Sequence, residues 1–274
     1  MFRRLSLIAA VFFAFGLGPA AAATCGDAET PCKVENGTYH IAVPDIEDRP
    51  GVFVFLHGSG GRGSSGVKNT GFVNRVGARG FALLTPSGAE RDWSVRDGLS
   101  DDDERDDVAF LQSVIADAIA RFDLDPDRVI LTGFSRGGSM VWDVACAAPD
   151  TAAAYAATAG GFWEPMRTTC ARAVHLHHSH GFKDPMVPLE GRKVVWRGRA
   201  FHQGNILKGI DVWRASGNCM GRADQTDIGD MWIKRWRNCA TGSITLRLWD
   251  GGHGMPKGWS TDVIDWFEQI KKSG

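Results

Sequence analysis

The feature that most restricts what this chain can fold into is Gly133-Phe134-Ser135-Arg136-Gly137-Gly138, set between an apolar run at 129–131 and a helical pattern at 139–147. A short continuous apolar run reads as a buried parallel strand. The serine is therefore placed on a sharp strand-to-helix turn, the context a nucleophilic serine needs. Glycines flank it because a β-carbon there would run into the strand or the helix. The turn lifts the hydroxyl above the sheet edge, and the helix N-terminus behind it favours negative charge. Ser135 is the candidate nucleophile; a glycine-rich turn without chemistry is the other reading of the same residues.

Similar apolar runs occur at 52–56 and 81–84, and weaker ones at 153–158, 173–177 and 244–248. Between them, 107–122 has helical periodicity, with Val108, Leu111, Ile115 and Ile119 on one face. Segments 139–147, 205–215 and 261–271 also read as helices. Strand and helix alternating in this way predict an α/β fold, with a mainly parallel central sheet covered by helices on both faces.

The N-terminus carries Arg3 and Arg4, an apolar run to about Leu17, then Pro19 and Ala20 to Ala23. That layout predicts a signal peptide over 1–23, too short an apolar run to span a bilayer comfortably. An uncleaved anchor is the alternative. The expected mature chain, 24–274, is secreted or periplasmic, leaves the membrane after cleavage and suits a single catalytic domain. All six cysteines follow the cleavage point, which reads as disulfides in an oxidising compartment. Proximity favours Cys25–Cys32 and Cys219–Cys239, leaving Cys146–Cys170, and no Cys-x-x-Cys spacing suggests zinc or redox chemistry. A net charge of −1 and no basic stretch argue against a nucleic-acid partner. The acidic run 101–107 lacks the spacing of a calcium loop and reads as a solvated loop whose last acids favour a helix start.

Two further residues complete a nucleophilic arrangement in the order serine, acid, histidine. Asp184, in His180-Gly181-Phe182-Lys183-Asp184, follows the strand near Val174; His253, in Gly251-Gly252-His253-Gly254, follows the strand at 244–248. His253 would be the general base and Asp184 the acid that orients it, with Asp211 and Asp250 as other late candidates. The turn Leu56-His57-Gly58-Ser59-Gly60-Gly61 offers an amide from Ser59 or Gly60 for an oxyanion, and Arg136 a second. No Gly-Lys-Ser/Thr follows it, which argues against a nucleotide site. Trp93, Trp163 and Trp259, in loops after strands, are candidates for a substrate pocket or for rim packing. His175, His177, His178 and His180 invite a metal reading, but no cysteine or second histidine pair completes a site, so no metal or cofactor is expected.

Asp106-Asp107-Val108-Ala109-Phe110, Asp125-Pro126-Asp127-Arg128-Val129, the block Thr132 to Met140, His180-Gly181 with Asp184 and Val187-Pro188, and Gly252-His253-Gly254 occur in this order. Together they resemble secreted esterases grouped as polyhydroxybutyrate depolymerases, a group that also takes in feruloyl and acetylxylan esterases. Cys25, Pro31-Cys32, Gly37 and Tyr39 look like the opening of its bacterial members. The resemblance implies the α/β-hydrolase fold, a triad of Ser135, Asp184 and His253, and a small-molecule or polymeric ester as substrate. The chain departs from the group in placing Arg136 beside the serine, in its histidine-rich segment and in showing no substrate-binding module. Ester hydrolysis through an acyl-enzyme is the expected chemistry; feruloyl or acetylxylan esters, peptide bonds, and a non-catalytic binding role are its rivals.

Overall fold

The computed structural model describes residues 25–94, 105–196 and 198–273, so the predicted signal peptide and most of the acidic run lie outside the described residues. Twelve strands are described: β1 Cys32–Val34, β2 Gly37–Ala42, β3 Gly51–Leu56, β4 Phe81–Pro86, β5 Val129–Phe134, β6 Ala154–Thr158, β7 His175–Gly181, β8 Lys193–Trp196, β9 Arg199–His202, β10 Asp224–Ile228, β11 Met231–Trp236 and β12 Ser243–Trp249. The helices are α1 Gly63–Lys68, α2 Thr70–Gly77, α3 Asp107–Phe122, α4 Arg136–Ala147, α5 Ile206–Ser216 and α6 Trp259–Ser273.

Ten strands form one sheet in the order β1-β2-β4-β3-β5-β6-β7-β12-β11-β10. The run from β4 to β12 is parallel throughout. Antiparallel β1 and β2 close one edge and β11 and β10 the other, while β8 and β9 pair as a separate hairpin. The expected α/β-hydrolase architecture is what the chain adopts.

Period-two alternation sends each parallel strand into two cores. Val52, Val54 and Leu56 of β3 join α3, α4 and α5, where Trp142 and Trp213 are fully buried. Phe53 turns to the opposite face, with Phe72 and Val76 of α2 and Val263, Ile264 and Phe267 of α6. Six-residue strands buried on both faces need apolar side chains at nearly every position, which is why 52–56 and 81–84 read so clearly from sequence. Because β4 lies on one side of β3 and β5 on the other, the strand order reverses there. The carboxyl ends of β3 and β5 thus face a crevice at the topological switch point, where open α/β sheets hold their ligands.

Asp106 caps α3 by accepting from the Ala109 amide at 3.0 Å, as a helix-start acid should. Asp107 departs from the solvated-loop expectation. It is buried, takes Arg105 at 2.6 Å and accepts from the Ser94 amide at 2.6 Å. An aspartate enters an interior only with such partners. The cysteines pair as Cys25–Cys32, Cys146–Cys170 and Cys219–Cys239.

Candidate active site

Ser135 sits between β5 and α4 with φ 56° and ψ −119°, a strained backbone for a residue bearing a β-carbon. Its neighbours explain how the turn is held. A β-carbon on Gly133 would lie 2.4 Å from the Gly137 carbonyl oxygen, and one on Gly137 would lie 2.2 Å from that of Leu56. The first would part the start of α4 from β5, and the second would push the elbow off β3. The Ser135 amide donates to the Thr158 carbonyl at 2.8 Å, fastening the turn to β6.

His253 follows β12, and its ring lies 4.9 Å from that of Phe134. Its Nε2 stands 2.9 Å from Ser135 Oγ and its Nδ1 2.8 Å from Asp184 Oδ2. An ionised carboxylate can only accept, so Nδ1 carries the proton and Nε2 is left to accept from the serine hydroxyl. Asp184 is buried; its Oδ1 accepts from the Met186 and Val187 amides, each at 2.9 Å. The two other late acids lie elsewhere: Asp211 pairs with Arg214, and Asp250 with Lys183.

The loop after β3 lies against the serine. A β-carbon on Gly58 would sit 3.2 Å from that of Ser135. The Gly60 amide is committed to the Arg91 carbonyl at 2.8 Å, so of the two amides expected from this loop only that of Ser59 is uncommitted among the described residues. Ser59 is pinned through its own hydroxyl, which donates to Asp92 Oδ2 at 2.6 Å. Asp92 also faces the Arg136 guanidinium at 3.6 Å, while Arg136 donates to the Trp93 carbonyl at 2.7 Å and lies over the Trp163 ring. The cation beside Ser135 is thus engaged by Trp93, Asp92 and Trp163, and Asp92, which sequence reasoning missed, anchors both sides of the crevice. Nothing in the local sequence marks Asp92, because its partners are 33 and 44 positions away.

The tryptophans separate. Trp93 is buried and its indole N–H donates to the His57 carbonyl at 2.8 Å, propping the Ser59 loop. Trp163 is half-buried, with its N–H 3.3 Å from Ser139 Oγ. Trp259 is buried among Phe53 and Phe55, where it lines a cavity beside the site.

The histidine-rich segment forms β7, and alternation puts His178 and His180 on one face with rings 5.3 Å apart. His180 Nε2 lies 2.7 Å from the Val187 carbonyl, which can only accept, so this nitrogen carries the proton. His180 Nδ1 then accepts from His178 Nε2 at 3.1 Å. Burial lowers the pKa of both rings, His178 the further, so each is neutral as the bonding requires. His180 also stands 3.5 Å from Asp184 Oδ2. The pair thus braces the turn that carries the acid; the only sequence signal was the density of histidines.

A strand-to-helix serine elbow on a mainly parallel sheet, with a histidine and a carboxylate brought to it from later strand ends, defines the α/β-hydrolase class. The chain belongs to the phospholipase/carboxylesterase family, whose model matches residues 36–197. Among curated proteins it is 32% identical over 150 residues to a putative esterase, NocK, of Nocardia uniformis, covering 53% of this chain and 43% of that protein. It is 27% identical over 236 residues to feruloyl esterase C of Emericella nidulans, covering 82% and 80%. The chain thus spans less than half the length of the first of these relatives. Among solved structures, an acetyl xylan esterase from Aspergillus awamori superposes with a TM-score of 0.63 at 16% identity over 85% of this chain and 94% of the other. A Bacillus cereus carboxylesterase gives 0.56 at 11% identity, over 86% and 95%; these two likenesses speak to the fold.

Proposed function

We propose that the protein is an exported carboxylesterase in which Ser135 is the nucleophile, His253 the general base and Asp184 the acid that orients it. The observation that carries this reading is the continuous hydrogen-bonded line Ser135–His253–Asp184 at 2.9 and 2.8 Å. His253 Nε2 takes the hydroxyl proton as Oγ attacks the ester carbonyl, and the resulting oxyanion is held by the Ser59 and Arg136 amides. As the tetrahedral intermediate collapses, the proton on Nε2 passes to the departing alcohol, leaving an acyl-serine. Water, deprotonated by His253, then attacks the acyl carbon, and Ser135 leaves with the proton. Asp184 stabilises the imidazolium at both stages without taking its proton. Each step is closed by this chain's own groups.

The chemistry of the acyl group divides two readings. Likeness to feruloyl esterase C over most of both chains supports an aromatic acyl ester. The ordered motifs of the sequence support a hydroxyalkanoate ester of the polyhydroxybutyrate type. Three disulfides support export, with residues 1–23 as the leader and 24–274 as one catalytic unit; no described helix is long and apolar enough to cross a membrane.

The test is a panel of acetyl, butyryl, feruloyl and 3-hydroxybutyrate oligomer esters, run on the oxidised protein beside Ser135→Ala. The substitution is expected to lower kcat by about 10⁵-fold or more and to abolish labelling by a fluorophosphonate, while the preferred acyl group chooses between the readings. A folded wild type that hydrolyses none of these esters and takes no label would overturn the assignment in favour of a binding protein on the same scaffold.

A further inference from the structure

Beside the Ser135–His253–Asp184 line, and not part of it, lies a cavity of about 570 Å³. Its walls come from the loop after β3 (His57, Gly61), from α1 and α2, and from segment 255–260, which leads from His253 into α6. Its volume falls within the roughly 300–1,000 Å³ typical of sites for small organic ligands.

The cavity is amphipathic. Phe55, Phe72 and Trp259 give it an apolar aromatic floor, with Phe55 meeting Phe72 edge-on at 5.3 Å and Trp259 at 6.1 Å. Trp259 also keeps a buried indole N–H with no acceptor among the described residues. The rim holds Arg62, Arg75 and Lys257, all exposed. Several arginines elsewhere on the surface, among them Arg49, Arg79, Arg121 and Arg172, are matched by carboxylates. Among the described residues no carboxylate lines this cavity, and no ion pair involves these three cations. An apolar floor beneath three cations without counter-charges suits a ligand with an apolar body and an anionic head.

We propose that this cavity binds an amphipathic carboxylate, its alkyl or aromatic body on the Phe55–Phe72–Trp259 floor and its acid group among Arg62, Arg75 and Lys257. The walls include the loops that carry Ser59 and His253, so a body seated there touches both segments flanking the nucleophile. On the esterase reading the cavity is the subsite for the far end of the substrate, and it selects esters that retain a free carboxylate. That second half rests on the proposed function; the binding itself does not.

The experiment separates the two. Ser135→Ala protein, which turns nothing over, is titrated calorimetrically with 4-phenylbutyrate and with 4-phenylbutanol, its neutral counterpart. The acid is expected to bind at one site at least tenfold more tightly than the alcohol. That preference shrinks with added salt and is lost when Arg75→Ser and Lys257→Ser are added. Equal affinity for acid and alcohol, a preference that survives the added substitutions, or no saturable binding overturns the site. On protein with Ser135 intact, kcat/KM is compared for monomethyl and dimethyl suberate. The half-ester's relative kcat/KM should fall about tenfold in Arg75→Ser/Lys257→Ser, and an unchanged ratio overturns the subsite role. Carboxylate binding without turnover of any ester would uphold the site and sink the esterase reading; turnover without carboxylate binding would do the reverse.

Discussion

At Ser135 the backbone is strained, since a turn at φ 56° persists only because surrounding contacts over-determine it. At Asp184 the two oxygens have separate duties. Oδ1 receives two backbone amides and Oδ2 receives His253. In Asp184→Asn the amide oxygen keeps the backbone bonds, so the NH₂ group is turned toward His253 Nδ1. The imidazole must then accept at Nδ1 and carry its proton on Nε2, facing a serine it can no longer deprotonate. Ester turnover is expected to fall about 10⁴-fold with the near-ultraviolet circular dichroism unchanged; near-normal kcat in a folded variant would refute the role. The turns that carry Ser135 and His253 were legible in the sequence because each is glycine-rich and follows an apolar strand. Choosing Asp184 over Asp211 or Asp250 took strand-end placement and resemblance, and the structure adds the distance. Asp92 was not legible, because what gives it a role is folding that brings Ser59 and Arg136 to it.

Among the elements, those buried on both faces were read well and those open to solvent were not. Helix α3 has the bounds its periodicity predicts, and β3 to β7 and β12 were all foreseen. The β10–β11 hairpin was missed: β10 is Asp-Gln-Thr-Asp-Ile, exposed at every position, with no apolar alternation to announce it. Helices α1 and α2 escaped notice because glycines interrupt them and only Phe72 and Val76 of α2 reach the core. The expected strand at 173–177 instead begins at His175 and continues to Gly181, where His178 and His180 share a hydrogen bond within the sheet face. On the proposed function, this strand end positions Asp184. His180 holds the Val187 carbonyl while the Val187 amide holds Asp184, so the turn is gripped from both sides. His180→Leu removes the donor, and a displacement of about 1 Å in Asp184 costs on the order of 100-fold. The expected result is a kcat lower by about that factor with KM little changed, and partial rescue by His180→Gln, whose amide can still donate to Val187. Equal kcat for the two variants would show that the hydrogen bond is not what matters.

For the molecule as a whole, the unusual property is how much titratable histidine the two cores enclose. Burial lowers the pKa of His57, His175, His177, His178 and His180, and His177 is pushed down to about 3 with Arg247 adding to the effect. His177 faces Trp266 of α6, ring to ring at 5.3 Å, and its Nδ1 has no partner among the described residues. In the unfolded chain such a ring titrates near 6.5. Above that value both states are neutral there and histidine adds nothing to the pH dependence. Below it the unfolded chain binds protons that the folded chain refuses, so stability must fall as pH falls. For His177 the loss runs from 6.5 down toward about 3, at up to about 1.4 kcal/mol per pH unit. Melting temperature should therefore be nearly level above about pH 7 and drop steeply toward about pH 4. His177→Leu keeps an apolar contact with Trp266 and removes the titrating ring, so its melting temperature should fall less steeply over the acid range. Parallel curves for the two proteins would mean that the acid sensitivity arises elsewhere, in the other four of these histidines or the paired carboxylates of the surface.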